Sequence, residues 1–273
     1  MNQIEYYKNI HHYHKDNFHL QSLIQLLKEN SHILFMKYGD GEVECMKVSD
    51  KESESYGQNC DADVYYPELS MDLKSAFLYF VDNSLKKDIN IHIGKWHFNN
   101  EIDYLSSYYF NNRYPNIQTL IPFTNYHLVM NDKKGLTNND MYLFVKTLKE
   151  NNNYLKIVIS NPQNILLQSL FSSQYFVNTP DKCLYLSIDK IYDNIDTIIN
   201  NEENKKIMLI TSCGLSAKVI IYHFFKKYGT QINAIDIGSS FDLLCKKRIT
   251  RSYQIEYSYD DIYNYYKDLI PFE

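Results

Sequence analysis

The 273-residue chain is 44% hydrophobic and 22% charged, enough to bury a sizeable core as one large domain or two small ones. Its net charge is −5 and its densest basic runs are Lys246-Lys247-Arg248 and Lys205-Lys206; that is far less than a phosphate-tracking protein carries, so no nucleic-acid partner is expected. Five Cys without a CxxC argue against a disulfide framework and a zinc site, and no apolar run reaches the roughly 20 residues of a membrane span.

The start is polar and rich in Tyr and His, unlike a signal peptide, so a cytoplasmic protein with reduced thiols is expected. Residues 1–15 read as disordered; His11, His12 and His14 within them could bind metal, but a disordered polar start is the plainer reading. Apolar residues at 20, 23, 24 and 27 predict a helix over 18–28, capped by Asp16 or Asn17. Ile33-Leu34-Phe35-Met36 is a short apolar strand running into Gly39-Asp40-Gly41-Glu42. Residues 69–80 read as a helix. Residues 89–94 alternate and end in Gly, so they read as a strand, and 119–122 as another. A helix over 140–148 precedes a β-branched strand over 156–160, closed by Asn161-Pro162. A short helix over 165–171, a weak strand over 184–187 and a helix over 188–199 follow.

The clearest unit comes last. Ile207-Met208-Leu209-Ile210 is a fully apolar strand, 211–216 a small-residue loop, and 217–228 a helix stopped by Gly229. The next strand, 232–237, ends at Gly238-Ser239-Ser240. Fully apolar strands alternating with helices predict an α/β fold: a Rossmann-like open, mainly parallel sheet with helices on both faces. No repeat or boundary divides it, so 1–273 reads as a single domain. The Tyr-rich stretch 253–266 reads either as a closing helix or as an arm on a partner subunit, which leaves a homo-oligomer open.

In such sheets ligands gather outside the carboxyl ends of the strands, and three loops fall there: 38–42, 212–216 and 238–242. In the second, Ser212, Gly214 and Ser216 offer hydroxyls and helix-start N–H groups, with Lys218 close by, which suits a nucleotide phosphate. It is neither GxxxxGK[ST] nor GxGxxG, and a plain βα turn with a Ser cap fits it as well. Asp236, inside the last strand, reads equally as a ribose ligand or a structural acid. Asp242 reads as a helix cap or a ligand-facing acid. Asp40 and Glu42 stand two apart; in an extended segment they point the same way and can hold a hard cation. A solvated Asp-Gly turn is the competing reading, and spacing alone favours it. Trp96 can stack on a sugar or base and His97 can act as a base, although a packed Trp beside a surface His is the plainer reading of both. Asn59-Cys60-Asp61 and Asn125-Tyr126-His127 are loops suited to acceptor contacts.

The run Lys37-Tyr38-Gly39-Asp40-Gly41-Glu42 resembles the R-[FY]-G-D-G-E signature of GT-D-fold glycosyltransferases, bacterial members of which were first described as a domain of unknown function. Ser212-Cys213-Gly214-Leu215-Ser216-Ala217-Lys218 is similar to their GP-[ST]-A turn, and Ala234-Ile235-Asp236-Ile237-Gly238 to their A-[IL]-D-I-G strand end. The chain departs at Lys37 for Arg, at Leu215 for Pro, and in the Ser-Ser-Phe-Asp that follows Gly238. The resemblance implies a metal-dependent glycosyltransferase of the hexosyltransferase class. It would move a sugar from a nucleotide-diphosphate sugar, a UDP-sugar, to a hydroxyl on a glycan or glycoprotein. Asp40 and Glu42 would hold Mn²⁺ or Mg²⁺ at the diphosphate. Lys37, Gly39, Gly41, Ser212, Gly214, Ser216, Lys218, Asp236 and Gly238 would surround the nucleotide, with Asp242 and His97 as the expected catalytic groups. A non-catalytic nucleotide-sugar-binding module and a nucleotide hydrolase on the same acids remain alternatives.

Overall fold

The computed structural model describes residues 20–48, 57–59, 63–84, 90–95, 123–125, 139–202, 205–251, 254 and 257–270. Its strands are β1 (Leu34–Tyr38), β2 (Ile91–Lys95), β3 (Phe123–Asn125), β4 (Tyr154–Ser160), β5 (Tyr175–Asn178), β6 (Lys206–Ser212) and β7 (Ile232–Asp236). They form one sheet in the order β3-β2-β1-β7-β6-β4-β5, parallel at every described pairing. The described α-helices are α1 (Leu20–Lys28), α2 (Asp40–Val48), α3 (Pro67–Ser84), α4 (Asp140–Glu150), α5 (Leu166–Leu170), α6 (Ile188–Asn201), α7 (Ser216–Tyr228), α8 (Asp242–Lys246) and α9 (Tyr259–Tyr266). None of them is long and apolar enough to cross a membrane.

The inner strands form where the sequence is mostly apolar. β4 is buried along its whole length, and β6 buries Ile207, Met208, Leu209 and Ile210. Successive side chains on a strand point to opposite faces, and the core divides accordingly. On one face Leu34, Met36 and Leu209 pack with α2, α3, α6 and α7. On the other, Phe35, Met208 and Ile210 pack with α1, α4, α5, α8 and α9. Helix periodicity matches this: α6 buries Ile188, Ile191, Ile195 and Ile199, one stripe at helical spacing. Lys156 on β4 is fully buried yet serves the core, since its ammonium donates to the Leu148 and Lys149 carbonyls at the end of α4, at 2.9 and 2.7 Å.

The predicted α/β architecture is the one observed, with local differences. Residues 184–187 form a turn of 3₁₀ helix, not a strand; Leu184 is buried, but Leu186 is 69% exposed, so the apolar letters never shared a buried face. The strand of that region is β5, a half-exposed edge with weak apolar patterning. The strand predicted over 119–122 lies outside the described residues, and β3 stands just after it. Most consequentially, Asp40 opens helix α2 instead of extending β1. Within 253–266, the described helix α9 packs Ile262 and Tyr266 into its own chain's core and is entered through a capping box between Ser258 and Asp261.

Candidate functional site

The three predicted loops come together because β1, β7 and β6 are adjacent in the sheet. Their carboxyl ends open on a cavity of about 600 Å³, lined among others by Lys37, Gly39, Gly41, Glu42, Ser212, Gly214, Lys218, Gly238 and Asp242. Ser216 is buried as the first residue of α7; its side chain makes no cap bond, because the N-cap position is Leu215.

At the floor lies a buried charge cluster. The Lys218 ammonium, 4% exposed, bridges Glu42 and Asp236; it stands 2.9 Å from Asp236 Oδ2 and donates to Glu42 Oε1. Asp236 is also the acceptor for two backbone groups, Lys37 N–H at 3.3 Å and Gly238 N–H at 3.0 Å. The ammonium of Lys37, buried beside it, donates to the Ile237 carbonyl at 2.8 Å. Two lysines and two acids thus form a neutral quartet tying β1, β7, α2 and α7 together. Asp236, an even choice between ribose ligand and structural acid in the sequence, is the quartet's structural hub.

The electrostatics of the two lysines differ. Burial works against the Lys218 charge, but Asp236 and Glu42 more than offset it and its pKa is raised. Lys37 is lowered to about 8, burial outweighing the attraction of Asp236. The sign follows directly. Below about pH 8 Lys37 is charged; as pH rises through that value the cavity loses one positive charge. Affinity for an anionic ligand is therefore expected to fall severalfold between pH 7 and pH 9, the scale of one unit charge at a part-buried site. Calorimetric titration of UDP at the two pH values checks this, and Lys37→Gln should flatten the dependence. The Cys213 thiol in the same turn is pushed up by burial and by Asp236, which favours its protonated form.

The acidic pair needs correction. Glu42 lies in the first turn of α2, where its Oε2 accepts the Gly39 N–H at 2.8 Å, the acceptor half of a capping box. On a helix, residues i and i+2 do not share a face, so the extended geometry expected for Asp40 and Glu42 does not exist. Both oxygens of Glu42 are committed, one to Lys218 and one to Gly39. A divalent ion at Glu42 would have to displace a buried ammonium, so the residues around Glu42 do not fit one. Among the described residues, no three His, Cys, Asp or Glu side chains converge as a metal set. The Asp40 side chain lies outside the described residues, as do Trp96, His97, Cys60, Asp61, Tyr126 and His127.

Asp242 lines the cavity and is not a cap. It lies inside α8 behind the N-cap Phe241, and its Oδ2 accepts from Lys246 Nζ at 3.1 Å and Thr250 Oγ1 at 2.8 Å. Sequence reasoning missed other lining residues. Asp63 accepts the Cys183 N–H at 2.7 Å and stands over the Gly214 turn, where an added Cβ would meet its Oδ2 at 2.9 Å. Gly214, at φ +65°, is therefore glycine for its backbone and for this close approach. Asn161 reaches Asp181 at 3.1 Å on the same wall. Asn59, expected in a loop for acceptor contacts, lines the cavity, and its Oδ1 accepts the Asp63 N–H at 2.9 Å.

No protein-family model and no curated protein sequence matches the chain. Solved structures do. Two are of the domain of unknown function 1792: one a selenomethionine-substituted form, the other described as having a distinct glycosyltransferase fold. Each is 16% identical, with a TM-score of 0.52 over 94% of this chain and 90% of the other. A glycosyltransferase of that domain from Streptococcus sanguinis is 15% identical, with a TM-score of 0.49 over 83% of both chains. The chain therefore has the fold of the domain of unknown function 1792, which is described as a distinct glycosyltransferase fold.

Proposed function

We propose that the chain is a glycosyltransferase acting on a nucleotide-diphosphate sugar, a UDP-sugar, with a hydroxyl of a glycan or glycoprotein as acceptor. The carrying observation is the cavity itself. It opens at the carboxyl ends of three adjacent parallel strands, where two glycine turns leave backbone close to a ligand and six basic side chains, Lys37, Lys182, Lys218, Lys246, Arg248 and Arg251, line the wall. The fold shared with the domain of unknown function 1792 supports the class. In the reaction the acceptor hydroxyl attacks the anomeric carbon, the bond from that carbon to the diphosphate oxygen breaks, and the nucleoside diphosphate leaves. Basic side chains on the wall would stabilise the charge that develops on the leaving group, above a floor whose ammoniums are already fixed, so little reorganisation is needed. Asn59, Asp63, Asn161 and Asp181 supply amides and carboxylates of the kind that read sugar hydroxyls.

The test is release of nucleoside diphosphate from a panel of nucleotide-sugars, with and without glycan acceptors. One donor should be turned over faster with acceptor present. Lys37→Gln should slow that turnover about 10²-fold, the scale of losing one preorganised electrostatic group. Binding of a nucleotide-sugar with no released diphosphate would reduce the protein to a binding module. Acceptor-independent release of phosphate would make it a hydrolase.

A further inference from the structure

The buried quartet of Lys37, Lys218, Glu42 and Asp236 is neutral in sum, so it cannot by itself balance a diphosphate. That counter-charge has to come from elsewhere on the wall. Arg248 and Arg251 stand there, on the irregular segment 247–251 that follows α8. This segment is not loosely attached. Gln254, 2% exposed, accepts from Thr250 N–H at 2.8 Å and Arg251 N–H at 3.2 Å, and donates to the Ser239 carbonyl at 3.0 Å. Asp242, 5% exposed, takes Thr250 Oγ1 and Lys246 Nζ. Two buried polar side chains are thus committed to fixing the backbone at Thr250 and Arg251 beside the Gly238 turn, and Arg251 Nη1 itself donates to the Thr250 carbonyl at 2.8 Å. Burying an amide and a carboxylate is costly unless every bond is made; here the return is a rigid basic segment at the mouth of the cavity. A guanidinium offers a planar fork of donors that matches phosphate oxygens, and its charge does not titrate in the working range.

We infer that Arg248 and Arg251 form a cationic clamp for the diphosphate of the ligand, supplying the counter-charge that an ion at Glu42 would otherwise provide. The inference rests on reading the cavity as a nucleotide-diphosphate site. Asp242 and Gln254 are the positioning residues of the clamp. The discriminating probe is inorganic pyrophosphate beside UDP, titrated by calorimetry in chelator-treated buffer and again with Mn²⁺. Pyrophosphate and UDP should bind without added metal, and Arg248→Gln and Arg251→Gln should each weaken both about tenfold, the scale of one charge-assisted hydrogen bond. Arg248 is exposed, so Arg248→Gln keeps the test clean should Arg251→Gln disturb the loop. Unchanged affinity in both variants overturns the clamp, even where sugar transfer is robust. Binding that requires Mn²⁺ overturns it as well. Binding that weakens as expected supports the clamp even if no nucleotide-sugar is ever turned over, in which case it is the transferase reading that falls.

Discussion

Lys218→Met is expected to destabilise the protein by about 3–5 kcal/mol, the range for removing one partner of a buried charge network. The reason lies in what would be left behind. Lys218 is the shared cation of Glu42 and Asp236, and without it two carboxylates face each other in a nearly dry site. Methionine fills the volume, so the loss reports charge more than packing. At roughly 2–4 °C per kcal/mol for a chain of this size class, the melting temperature should drop by about 6–20 °C. Adding Glu42→Gln to Lys218→Met removes one of the stranded charges and should recover part of the loss. A thermal melt of the two single variants and the double variant decides the matter. If the double variant is no more stable than Lys218→Met, the contribution of Lys218 is not electrostatic.

Much of the site was legible for a reason tied to strand geometry. β1, β6 and β7 announce themselves as short, mostly apolar runs, and in a parallel sheet their carboxyl ends share one edge. So the Gly39, Gly214 and Gly238 turns could be assigned to a common site before any contact was known. What could not be read is pairing. Lys218 and Glu42 are 176 residues apart, and nothing local marks them as partners. The helical start at Asp40 was hidden for a different reason: Gly41 is a poor helix former, and Asp-Gly is a common turn pair. Capping by Glu42 and the burial of Val43, Cys45 and Met46 against the sheet outweigh that local preference. The basic run at 246–248 carries no local mark of the cavity that Lys246 and Arg248 line; the fold brings it there.

Gly238→Ala is expected to cost about 2–5 kcal/mol, more than a methyl group on a turn ordinarily would. Two independent penalties meet there. Gly238 holds φ +49°, a left-handed conformation that costs an L-residue roughly 1–2 kcal/mol. Its missing side chain is also the space that Lys37 occupies: an added Cβ would lie 2.9 Å from Lys37 Cε and closer still to Nζ. Lys37 cannot swing aside cheaply, because it is buried and its ammonium holds the Ile237 carbonyl. Releasing a charged donor from such a bond is worth about 1.5–3 kcal/mol. The two penalties can be separated. In a Lys37→Ala background the clash disappears, and Gly238→Ala should cost only the backbone part, about 1–2 kcal/mol. Equal costs in both backgrounds, measured by denaturant titration, would remove Lys37 from the explanation. Ligand affinity should follow stability here, since the Gly238 carbonyl also accepts Ser212 Oγ at 2.6 Å and so joins the turns after β6 and β7. A lysine that fills the space a glycine leaves, at the meeting point of two ligand-facing turns, couples the shape of the cavity to its charge.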